Sequence, residues 1–471
     1  MREQGERAGK TMEIRGLSVA VHNLGCKVNA YEAEAMLREL KNAGARIVPW
    51  EERADIYLIN TCSVTNIADK KSRQMLHRAR AKNPDAIVVG TGCYVQARRE
   101  ELLSDGSVDL LIGNAGKGRI AELLSDYLRG DRTPACFDLR SVHGYEEFSA
   151  GGRTERARAF LKVQDGCGQF CSYCIIPYLR GEIRSRALPD ILREVRELSE
   201  GGYREIVLTG IHLSSYGMES CGDREGRERA FNAALPSESL LSLIREVASV
   251  SGIERVRLGS LEPRIISRDF VRALSGIPEF CPHFHLSLQS GSDRTLRAMN
   301  RHYDSAAFRE SAKIIRESFP DAALTTDVIV GFPGETEEDF SESLRFISEI
   351  GFYELHVFKY SRRRGTAAER MKGQVPEKLK AERSARLIAL DRERSAEFRR
   401  RFLGRQESVL LEERIEWEGR GYLAGFNREY VRFLIPCGES EGEPGKVGEI
   451  ISALGEKLCG RYVLAKAVQM R

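Results

Sequence analysis

Short apolar segments alternate with amphipathic helical segments along most of this chain. Three apolar segments near the N-terminus have the length and composition of buried parallel strands: Leu17–Leu24, Asp55–Asn60 and Ala86–Gly90. Between them, Glu32–Asn42 and Ala68–Ala81 have helical periodicity, and Asn29 with Glu32 predicts a capping pair at the start of the first helix. The alternation predicts an α/β fold with an open parallel sheet.

Length and composition predict several domains and no membrane segment. A chain of 471 residues is too long for one compact core, and its 42% hydrophobic and 30% charged residues are ordinary for a globular protein. Residues 1–16 are polar and charged, which predicts a loose extension rather than a signal peptide, and no apolar run is long enough to span a membrane. The eleven cysteines favour reduced thiols in the cytoplasm over disulfides, because the number is odd and the chain is large.

Three cysteines follow the three N-terminal strands, and we call them the strand triad. Cys26, Cys62 and Cys93 each come just after a predicted strand. Because the carboxyl ends of parallel strands lie along one edge of a sheet, the three thiols are expected to meet there. A single cysteine in such a position is more often a small buried hydrophobe, but three in successive loops favour a three-thiolate cluster site.

A second series of strand and helix segments runs from Ala157 to Glu369. Its six candidate strands are Ala159–Val163, Glu205–Thr209, Arg255–Gly259, Phe284–Leu288, Thr325–Val330 and Glu354–Phe358. Six strand–helix units are too few for a closed eight-stranded barrel. The pattern therefore predicts a partial (β/α)6 barrel with its active site at the carboxyl ends of the strands.

Cys167, Cys171 and Cys174 lie in one loop directly after the first of these strands, and we call them the loop triad. Three thiolates can hold three irons of a four-iron cluster and leave the fourth iron open to a ligand. The alternatives are a zinc site or three buried thiols; zinc needs a fourth ligand nearby, and neither His143 nor His212 has a suitable spacing. The run, with an aromatic residue before its third cysteine, resembles the signature of the radical S-adenosylmethionine (SAM) enzymes, whose open iron binds SAM.

Polar and glycine-containing strand ends offer a pocket for this cofactor at the same rim. The expected SAM-binding residues are Tyr173 in the cysteine loop and, after successive strands, Gly210, Ser260, Glu262, Ser287, Gln289, Gly331 and Gly334. Thr336 with Asp339 predicts only a helix cap. Asp327 lies inside a strand, where it either faces the barrel lumen or pairs with a basic neighbour.

The last segment, Gly404–Arg471, has short β-like periodicity and predicts a small OB-like barrel, a common oligonucleotide platform. Its candidate strands are Glu407–Glu413, Gly421–Phe426, Tyr430–Ile435 and Tyr462–Val468. Upstream, Lys359–Arg405 contains 16 Lys and Arg against 6 Asp and Glu, a net charge of +10. Such a run is usually a solvated helix face, but we favour contact with an RNA backbone, which needs only a cationic surface. The arginines expected to contact RNA are Arg184, Arg186, Arg362, Arg363, Arg364, Arg399, Arg400 and Arg401.

This order of parts resembles the radical-SAM methylthiotransferases over nearly the whole of Leu17–Val468. Three sequences match the family's N-terminal motifs: Leu24-Gly-Cys26-Lys-Val-Asn29, Ile59-Asn-Thr-Cys62-Ser-Val-Thr65 and Thr91-Gly-Cys93-Tyr-Val-Gln96. Two match its core: Cys171-Ser-Tyr-Cys174-Ile-Ile-Pro-Tyr-Leu-Arg180-Gly and Arg184-Ser-Arg186. The resemblance implies a flavodoxin-like N-terminal domain at 17–140, a radical-SAM core at 153–392 and a TRAM domain at 404–471.

The same resemblance implies two 4Fe-4S clusters and SAM as cofactors. The loop triad would hold the cluster that cleaves SAM to a 5′-deoxyadenosyl radical, and the strand triad would hold an auxiliary cluster that carries the sulfur. One SAM would methylate this sulfur, and the radical from a second SAM would remove hydrogen from C2 of an adenine. Arg184 and Arg186 would contact the SAM carboxylate or RNA phosphates, with a surface salt bridge as the alternative. An external one-electron donor such as flavodoxin or ferredoxin is implied as a partner.

Two segments indicate the branch of the family. Lys27-Val-Asn29 and Thr209–Gly217 are similar to the bacterial enzymes that methylthiolate N6-threonylcarbamoyladenosine next to the anticodon of tRNA, at position 37. The branches that act on isopentenyladenosine in tRNA or on a ribosomal protein side chain typically have other residues after the first cysteine, and they stay as alternatives. An alternative of another class is a non-catalytic iron–sulfur protein that binds RNA and senses redox state.

Overall fold

A computed structural model describes residues 13–136, 138, 139, 142–151, 157–220, 237–437 and 444–468. Residues 1–12 of the expected extension lie outside these ranges. The chain forms two compact units. The first contains the described residues up to Ala150 together with Tyr178–Gly181, and the second contains Gly151–Pro177 and the chain from Glu182 onward. The predicted domain boundaries stay a prediction, because both C-terminal domains fall within the second unit.

The first unit is built on a five-stranded parallel sheet with the strand order β2-β1-β3-β4-β5. Its strands are β1 (Ser18–Asn23), β2 (Arg46–Val48), β3 (Ile56–Thr61), β4 (Ile87–Gly92) and β5 (Leu110–Ile112). Its helices are α1 (Lys27–Asn42), α2 (Asn66–Lys82), α3 (Cys93–Ala97), α4 (Arg99–Asp105) and α5 (Ile120–Arg129). All six residues of β3 are buried, as expected for a central strand covered on both faces.

The predicted strands are confirmed as β1, β3 and β4, whereas β2 and β5 were not predicted because each has only three residues. The predicted capping pair is wrong. Helix α1 begins at Lys27, and Cys26 occupies its N-cap without a side-chain cap bond. Asn29 and Glu32 therefore lie inside the helix, where both are buried.

The second unit carries the predicted α/β series in two four-stranded sheets with the orders β7-β6-β8-β9 and β10-β11-β12-β13. These strands are β6 (Arg158–Asp165), β7 (Arg184–Ser185), β8 (Glu205–Gly210), β9 (Arg255–Leu258), β10 (Ser260–Leu261), β11 (His283–Leu286), β12 (Ala323–Val330) and β13 (Glu354–Lys359). The accompanying helices are α7 (Leu188–Glu200), α8 (Glu238–Ala248), α9 (Arg268–Ser275), α10 (Asp293–Ala298), α11 (Ser305–Ser318), α12 (Glu337–Ile350) and α13 (Glu377–Arg400). The short helix α6 (Ile176–Arg180) begins in the second unit, and its last three residues belong to the first. All six predicted strands are present. Thr336 and Asp339 form the predicted capping box of α12.

The C-terminal segment closes into a five-stranded barrel with the order β14-β15-β16-β18-β17. Its strands are β14 (Gln406–Trp417), β15 (Arg420–Phe426), β16 (Arg432–Pro436), β17 (Ile450–Cys459) and β18 (Tyr462–Val468). Four match the predicted segments, and β17 was not predicted. The architecture is therefore a mixed α/β fold with a C-terminal, mainly antiparallel β-barrel.

Buried arginines on β9 bind the C-terminal barrel. Arg255 donates to the Ser408 carbonyl oxygen at 2.6 Å, and Arg257 donates to the Arg428 carbonyl oxygen at 3.0 Å. Glu205 of β8 lies beside both guanidiniums. Burial opposes ionisation of this carboxyl, but the nearby arginines hold its pKa at about 2. In the described ranges, no helix combines the length and apolar character needed to cross a membrane.

Candidate metal centres

The structure places the strand triad along one edge of the N-terminal sheet. Cys62 directly follows β3, Cys93 directly follows β4 as the first residue of α3, and Cys26 caps α1 just after β1. Strands β1, β3 and β4 are neighbours in the sheet. The thiols are close enough that Cys26 and Cys93 both influence the ionisation of Cys62. The structure therefore brings the three cysteines to one edge of the sheet, as predicted, and their role as cluster ligands stays a prediction.

Two glycines of the matching motifs make this convergence possible. Gly25 and Gly92 each precede a triad cysteine and have φ values of +109° and +96°, in the left-handed region that favours glycine. A Cβ atom on Gly25 would lie 3.0 Å from the Cys62 sulfur, and one on Gly92 would lie 2.5 Å from the Thr61 carbonyl oxygen. The backbone therefore approaches the thiols more closely than any side chain would allow.

A fully buried charge network, formed by Glu32, Lys117 and Arg180, lies next to the strand triad. Arg180 donates to Glu32 at 2.8 Å and to Asn29 Oδ1 at 2.9 Å, and Lys117 binds the other oxygen of Glu32. Two basic side chains thus share one carboxylate with no exposed surface. Burial lowers the pKa of Lys117 and the Glu32 carboxylate raises it, so an anion beside this network favours the charged form of Lys117.

The thiols themselves supply that anion when they bind a metal. Burial raises the pKa of Cys62 to about 11, and the Arg180 guanidinium acts against this shift. Asn114 Nδ2 donates to the Cys93 sulfur at 3.4 Å and to the Leu179 carbonyl oxygen at 2.7 Å. Bound metal would convert the thiols to thiolates, which the basic side chains and this amide then stabilise.

The loop triad is fixed by hydrogen bonds within the second unit. The Cys174 N–H donates to the Cys171 carbonyl oxygen at 2.9 Å, which closes a tight turn between the two cysteines. The Ser172 backbone donates to Met299 at 3.0 Å and accepts from Ala368 at 2.7 Å. These bonds hold the loop between the segment after α10 and the segment before α13.

Arg301 is the charged neighbour of the loop triad. Its Nη1 donates to the Cys171 sulfur at 3.0 Å, and its Nε donates to the Tyr303 hydroxyl at 3.0 Å. Tyr303 in turn donates to the Leu288 carbonyl oxygen at 3.0 Å. A fixed guanidinium of this kind stabilises a thiolate by a charge-assisted hydrogen bond.

Sulfur spacing argues for clusters rather than single ions. Within the described ranges, one group of three or more His, Cys, Asp or Glu has all its ligand atoms within 4.8 Å of one another, and it is His285, Asp327 and His356. Each cysteine triad therefore contains at least one longer sulfur–sulfur distance. A single zinc, with sulfurs at about 2.3 Å, would need them about 3.8 Å apart. In both triads at least one sulfur–sulfur distance is therefore wider than a single zinc needs.

The residues expected to bind SAM have different settings around the loop triad. Ser260 is exposed, Gly210 and Ser287 are half-buried, and Gln289 is buried with a left-handed φ of 67°. Glu262 accepts from Gln169 at 2.8 Å and lies 3.1 Å from His212 Nε2. Burial works against its ionisation, but hydrogen bonds from His212 and Arg264 hold the pKa of Glu262 well below its usual range.

The other three expected SAM residues have structural partners. Tyr173 packs in an apolar cluster with Phe332 and Tyr360. Gly331 has a φ of +72°, and a Cβ atom there would lie 2.3 Å from Lys380 Cγ. Gly334 donates to the Gly373 carbonyl oxygen at 2.8 Å. Their contact with SAM stays a prediction.

Four of the arginines expected to contact RNA are buried, which corrects that expectation for them. Arg186 has no exposed side-chain surface and pairs with Glu194, and Arg184 lies 3.8 Å from Asp165. Arg363 and Arg399 are also buried. A guanidinium enclosed by protein cannot meet a phosphate. The remaining four are exposed, and their contact with RNA stays a prediction: Arg362, Arg364, Arg400 and Arg401.

Several side chains around the triads were not predicted as site residues, namely Asn114, Lys117, His212 and Arg301. Each acts through a contact with a residue distant in sequence, so no local spacing identifies it. Glu32 had a weak signal, because it shares a helix face with Val28 and Met36 and is therefore a charge on the buried side of α1.

Comparisons with known proteins agree with this geometry. The model of "Uncharacterized protein family UPF0004" matches residues 18–113, and that of the radical SAM superfamily matches residues 161–347. The chain is 38% identical over 438 residues to the threonylcarbamoyladenosine tRNA methylthiotransferase MtaB of Bacillus subtilis, with 92% of each protein covered. It is 37% identical to MtaB of Aquifex aeolicus, with 84% of this chain and 93% of the relative covered.

Two further similarities support the same family and fold. The tRNA-2-methylthio-N(6)-dimethylallyladenosine synthase of Acetivibrio thermocellus is 37% identical, with 83% of this chain and 80% of the relative covered. Among solved structures, the radical S-adenosylmethionine methyltransferase TsrM of Kitasatospora setae aligns with a TM-score of 0.54 at 14% identity, over 73% of this chain and 72% of TsrM, which indicates a shared fold. This chain belongs to the radical-SAM methylthiotransferase family, whose cofactors are SAM and 4Fe-4S clusters.

Proposed function

We propose that this enzyme methylthiolates C2 of N6-threonylcarbamoyladenosine next to the anticodon of tRNA. The similarity to the Bacillus subtilis enzyme of that name, 38% over 92% of both chains, carries the proposal. Support also comes from the two cysteine triads, because each offers three thiolates and leaves one iron of a four-iron cluster open.

We assign one cluster to each triad. When bound, these groups supply the reductive cleavage of SAM and the sulfur that is transferred. The residues of the chain hold and tune them. Arg301 donates to Cys171 in the loop triad, whereas Asn114 donates to Cys93 in the strand triad. Lys117 and Arg180, which both bind Glu32, offset the negative charge of the strand triad.

We further propose that SAM lies against the strand ends near the loop triad. Half-buried Ser287 and exposed Ser260 offer hydroxyl groups there, and Glu262 offers a carboxylate that stays ionised. Tyr173 suits the adenine ring, because it is a partly buried aromatic side chain between Cys171 and Cys174.

Binding of tRNA is assigned to the exposed arginines of the linker, Arg362, Arg364, Arg400 and Arg401. They lie in the segment of net charge +10 and are free of the burial that excludes Arg363 and Arg399. Phosphate contacts of this kind make binding strongly salt-dependent. A cytoplasmic location and a flavodoxin or ferredoxin as electron donor complete the proposal.

Nucleoside mass spectrometry tests the substrate. The chain is expressed in a bacterial strain that lacks its own methylthiotransferases for both threonylcarbamoyladenosine and isopentenyladenosine. We expect 2-methylthio-N6-threonylcarbamoyladenosine to appear in its tRNA with the wild-type chain and to be absent with Cys62→Ala or Cys171→Ala.

The other outcomes separate the alternatives. Methylthiolated isopentenyladenosine alone would assign the activity named for the Acetivibrio relative. No methylthiolated nucleoside, from a chain that carries both clusters and forms 5′-deoxyadenosine, would exclude tRNA as the substrate.

A further inference from the structure

Three side chains on adjacent strands of the second unit form a compact group that shares no residue with either cysteine triad. Parallel pairing sets His356 of β13 opposite Asp327 of β12, and sets His285 of β11 opposite Thr325. Because alternate residues of a strand point to the same face, Thr325 and Asp327 lie side by side. His285, Asp327 and His356 therefore share one face of the sheet, and we call them the sheet triad.

The ligand atoms of the sheet triad converge on one carboxylate oxygen. His356 Nδ1 lies 3.1 Å from Asp327 Oδ1, and His285 Nε2 lies 3.4 Å from the same oxygen. All three ligand atoms are within 4.8 Å of one another. A metal ion at about 2.1 Å from each ligand would separate neighbouring ligand atoms by about 3.0 Å in octahedral and about 3.4 Å in tetrahedral geometry. The two separations from Asp327, 3.1 Å and 3.4 Å, fall in this range.

We propose that His285, Asp327 and His356 bind a divalent transition-metal ion such as Zn²⁺ or Fe²⁺. Two imidazoles and one carboxylate are a common donor set for these ions, and they leave coordination positions open for water or an oxygen ligand. The exposed fractions of the side chains rise from 10% for His285 to 29% for Asp327 and 53% for His356. The open positions therefore face outward, on the His356 side.

A hydrogen bond between Thr325 and His285 orients the His285 ring. Thr325 Oγ1 lies 2.9 Å from His285 Nδ1 and 3.2 Å from His283 Nε2. Because its Nδ1 is engaged by Thr325, His285 directs Nε2 toward Asp327. Metal-binding histidines typically have their second nitrogen fixed in this way.

A carboxylate binds a metal ion in its ionised form. Asp327 faces two imidazoles, with its Oδ1 at 3.1 Å from His356 and at 3.4 Å from His285. The predicted pairing of this residue with a basic neighbour is therefore present, and its position relative to the barrel lumen stays a prediction.

Hydrogen bonding alone explains the arrangement less well. The separation of 3.4 Å between His285 and Asp327 exceeds the usual range for an N–H···O bond, which ends near about 3.2 Å. The two imidazole rings are stacked with centroids 5.2 Å apart, so both stand beside the same carboxylate. A shared metal ion would be bound by both rings in their neutral form.

Zinc binding by the full-length protein with both clusters loaded tests the site. The protein is equilibrated anaerobically with Zn²⁺, dialysed and analysed for metals, and a full complement of about eight irons confirms that both cysteine triads are occupied. We expect one retained zinc per chain. X-ray absorption at the zinc edge should show only nitrogen and oxygen ligands at about 2.0–2.1 Å, without the sulfur shell at about 2.3 Å that a cysteine site would give.

Variants locate the ion. His356→Gln changes the most exposed ligand, and Asp327→Asn removes the shared charge; each should weaken zinc binding by more than about 100-fold while iron content and thermal unfolding stay normal. His77→Gln is the matched control, because His77 lies 3.6 Å from Asp105 without belonging to a three-ligand group in the part of the chain that the structure describes. No retained zinc in the wild-type protein, zinc bound through sulfur, or unchanged zinc binding in both sheet-triad variants would overturn the proposal.

Discussion

The two cysteine triads have the same three ligands but are assembled from different kinds of structure. The loop triad lies within one short, hydrogen-bonded loop, and its charged neighbour Arg301 touches a sulfur directly. The strand triad is assembled from the ends of three strands, and its sulfur contact comes from the neutral amide of Asn114. The positive charges next to the strand triad are those of Lys117 and Arg180, which both bind Glu32. The difference teaches that the spacing of the loop triad is set within one loop, although distant residues hold that loop in place. The spacing of the strand triad depends instead on the pairing of β1, β3 and β4.

Removing one cysteine from each triad should produce the largest and most different effects. Cys171→Ala is expected to lower formation of 5′-deoxyadenosine from SAM by more than about 100-fold, because the loop cluster loses a ligand. Cys62→Ala should keep that activity within about twofold and lose methylthiolation. Iron content should fall from about eight to about four per chain in both variants. Loss of SAM cleavage in Cys62→Ala would show that the triads are not separable.

Glu32→Gln should destabilise the first unit, since it removes the buried carboxylate that both Lys117 and Arg180 bind. Breaking a buried ion pair in this way costs about 3–5 kcal/mol. Chemical denaturation, monitored by hydrogen exchange in the N-terminal sheet, measures this loss of unfolding free energy. Glu39→Gln, a half-buried change on the same helix, is the control and should cost less than about 1 kcal/mol.

Glu32→Gln should leave the iron content of the loop triad unchanged. If Glu32→Gln instead removed iron from both triads equally, the distinction between a local site and a topological one would fail.

Sequence patterns predicted what depends on nearby residues. The spacing of Cys167, Cys171 and Cys174 is local, and the strand alternation that placed Cys26 and Cys62 at sheet ends also depends only on short-range periodicity. Three-residue strands such as β2 and β5 carry too little periodicity to be recognised.

Charge networks could not be predicted in the same way. Asn29 and Glu32 fit a local capping pattern, but Arg180, 148 residues from Glu32 along the chain, draws both into a buried network instead. Likewise, Arg186 was predicted to contact RNA or SAM, but its side chain is buried and pairs with Glu194 of α7. In each case a tertiary contact overrode a correct local preference.

Arg301→Gln tests the charged contact of the loop triad. A hydrogen bond to a charged group contributes about 1.5–3 kcal/mol, and because reduction makes the cluster more negative, its loss should lower the reduction potential of the loop cluster. At about 59 mV per tenfold change for one electron, the shift is about 60–130 mV. Redox titration monitored by electron paramagnetic resonance measures it in a Cys62→Ala background, which isolates the loop cluster. Arg297→Gln removes an exposed charge nearby and should leave the potential unchanged.

Asn114→Ala tests the neutral contact of the strand triad and should have the smallest effect. A neutral hydrogen bond contributes about 0.5–1.5 kcal/mol, so the potential of the auxiliary cluster should fall by about 20–65 mV. The measurement uses a Cys171→Ala background, with the exposed change Asn42→Ala as the control. Because Lys117 and Arg180 remain in place, most of the electrostatic support should survive. A shift as large as that of Arg301→Gln would mean that the amide, and not the buried charges, sets the potential of the strand triad.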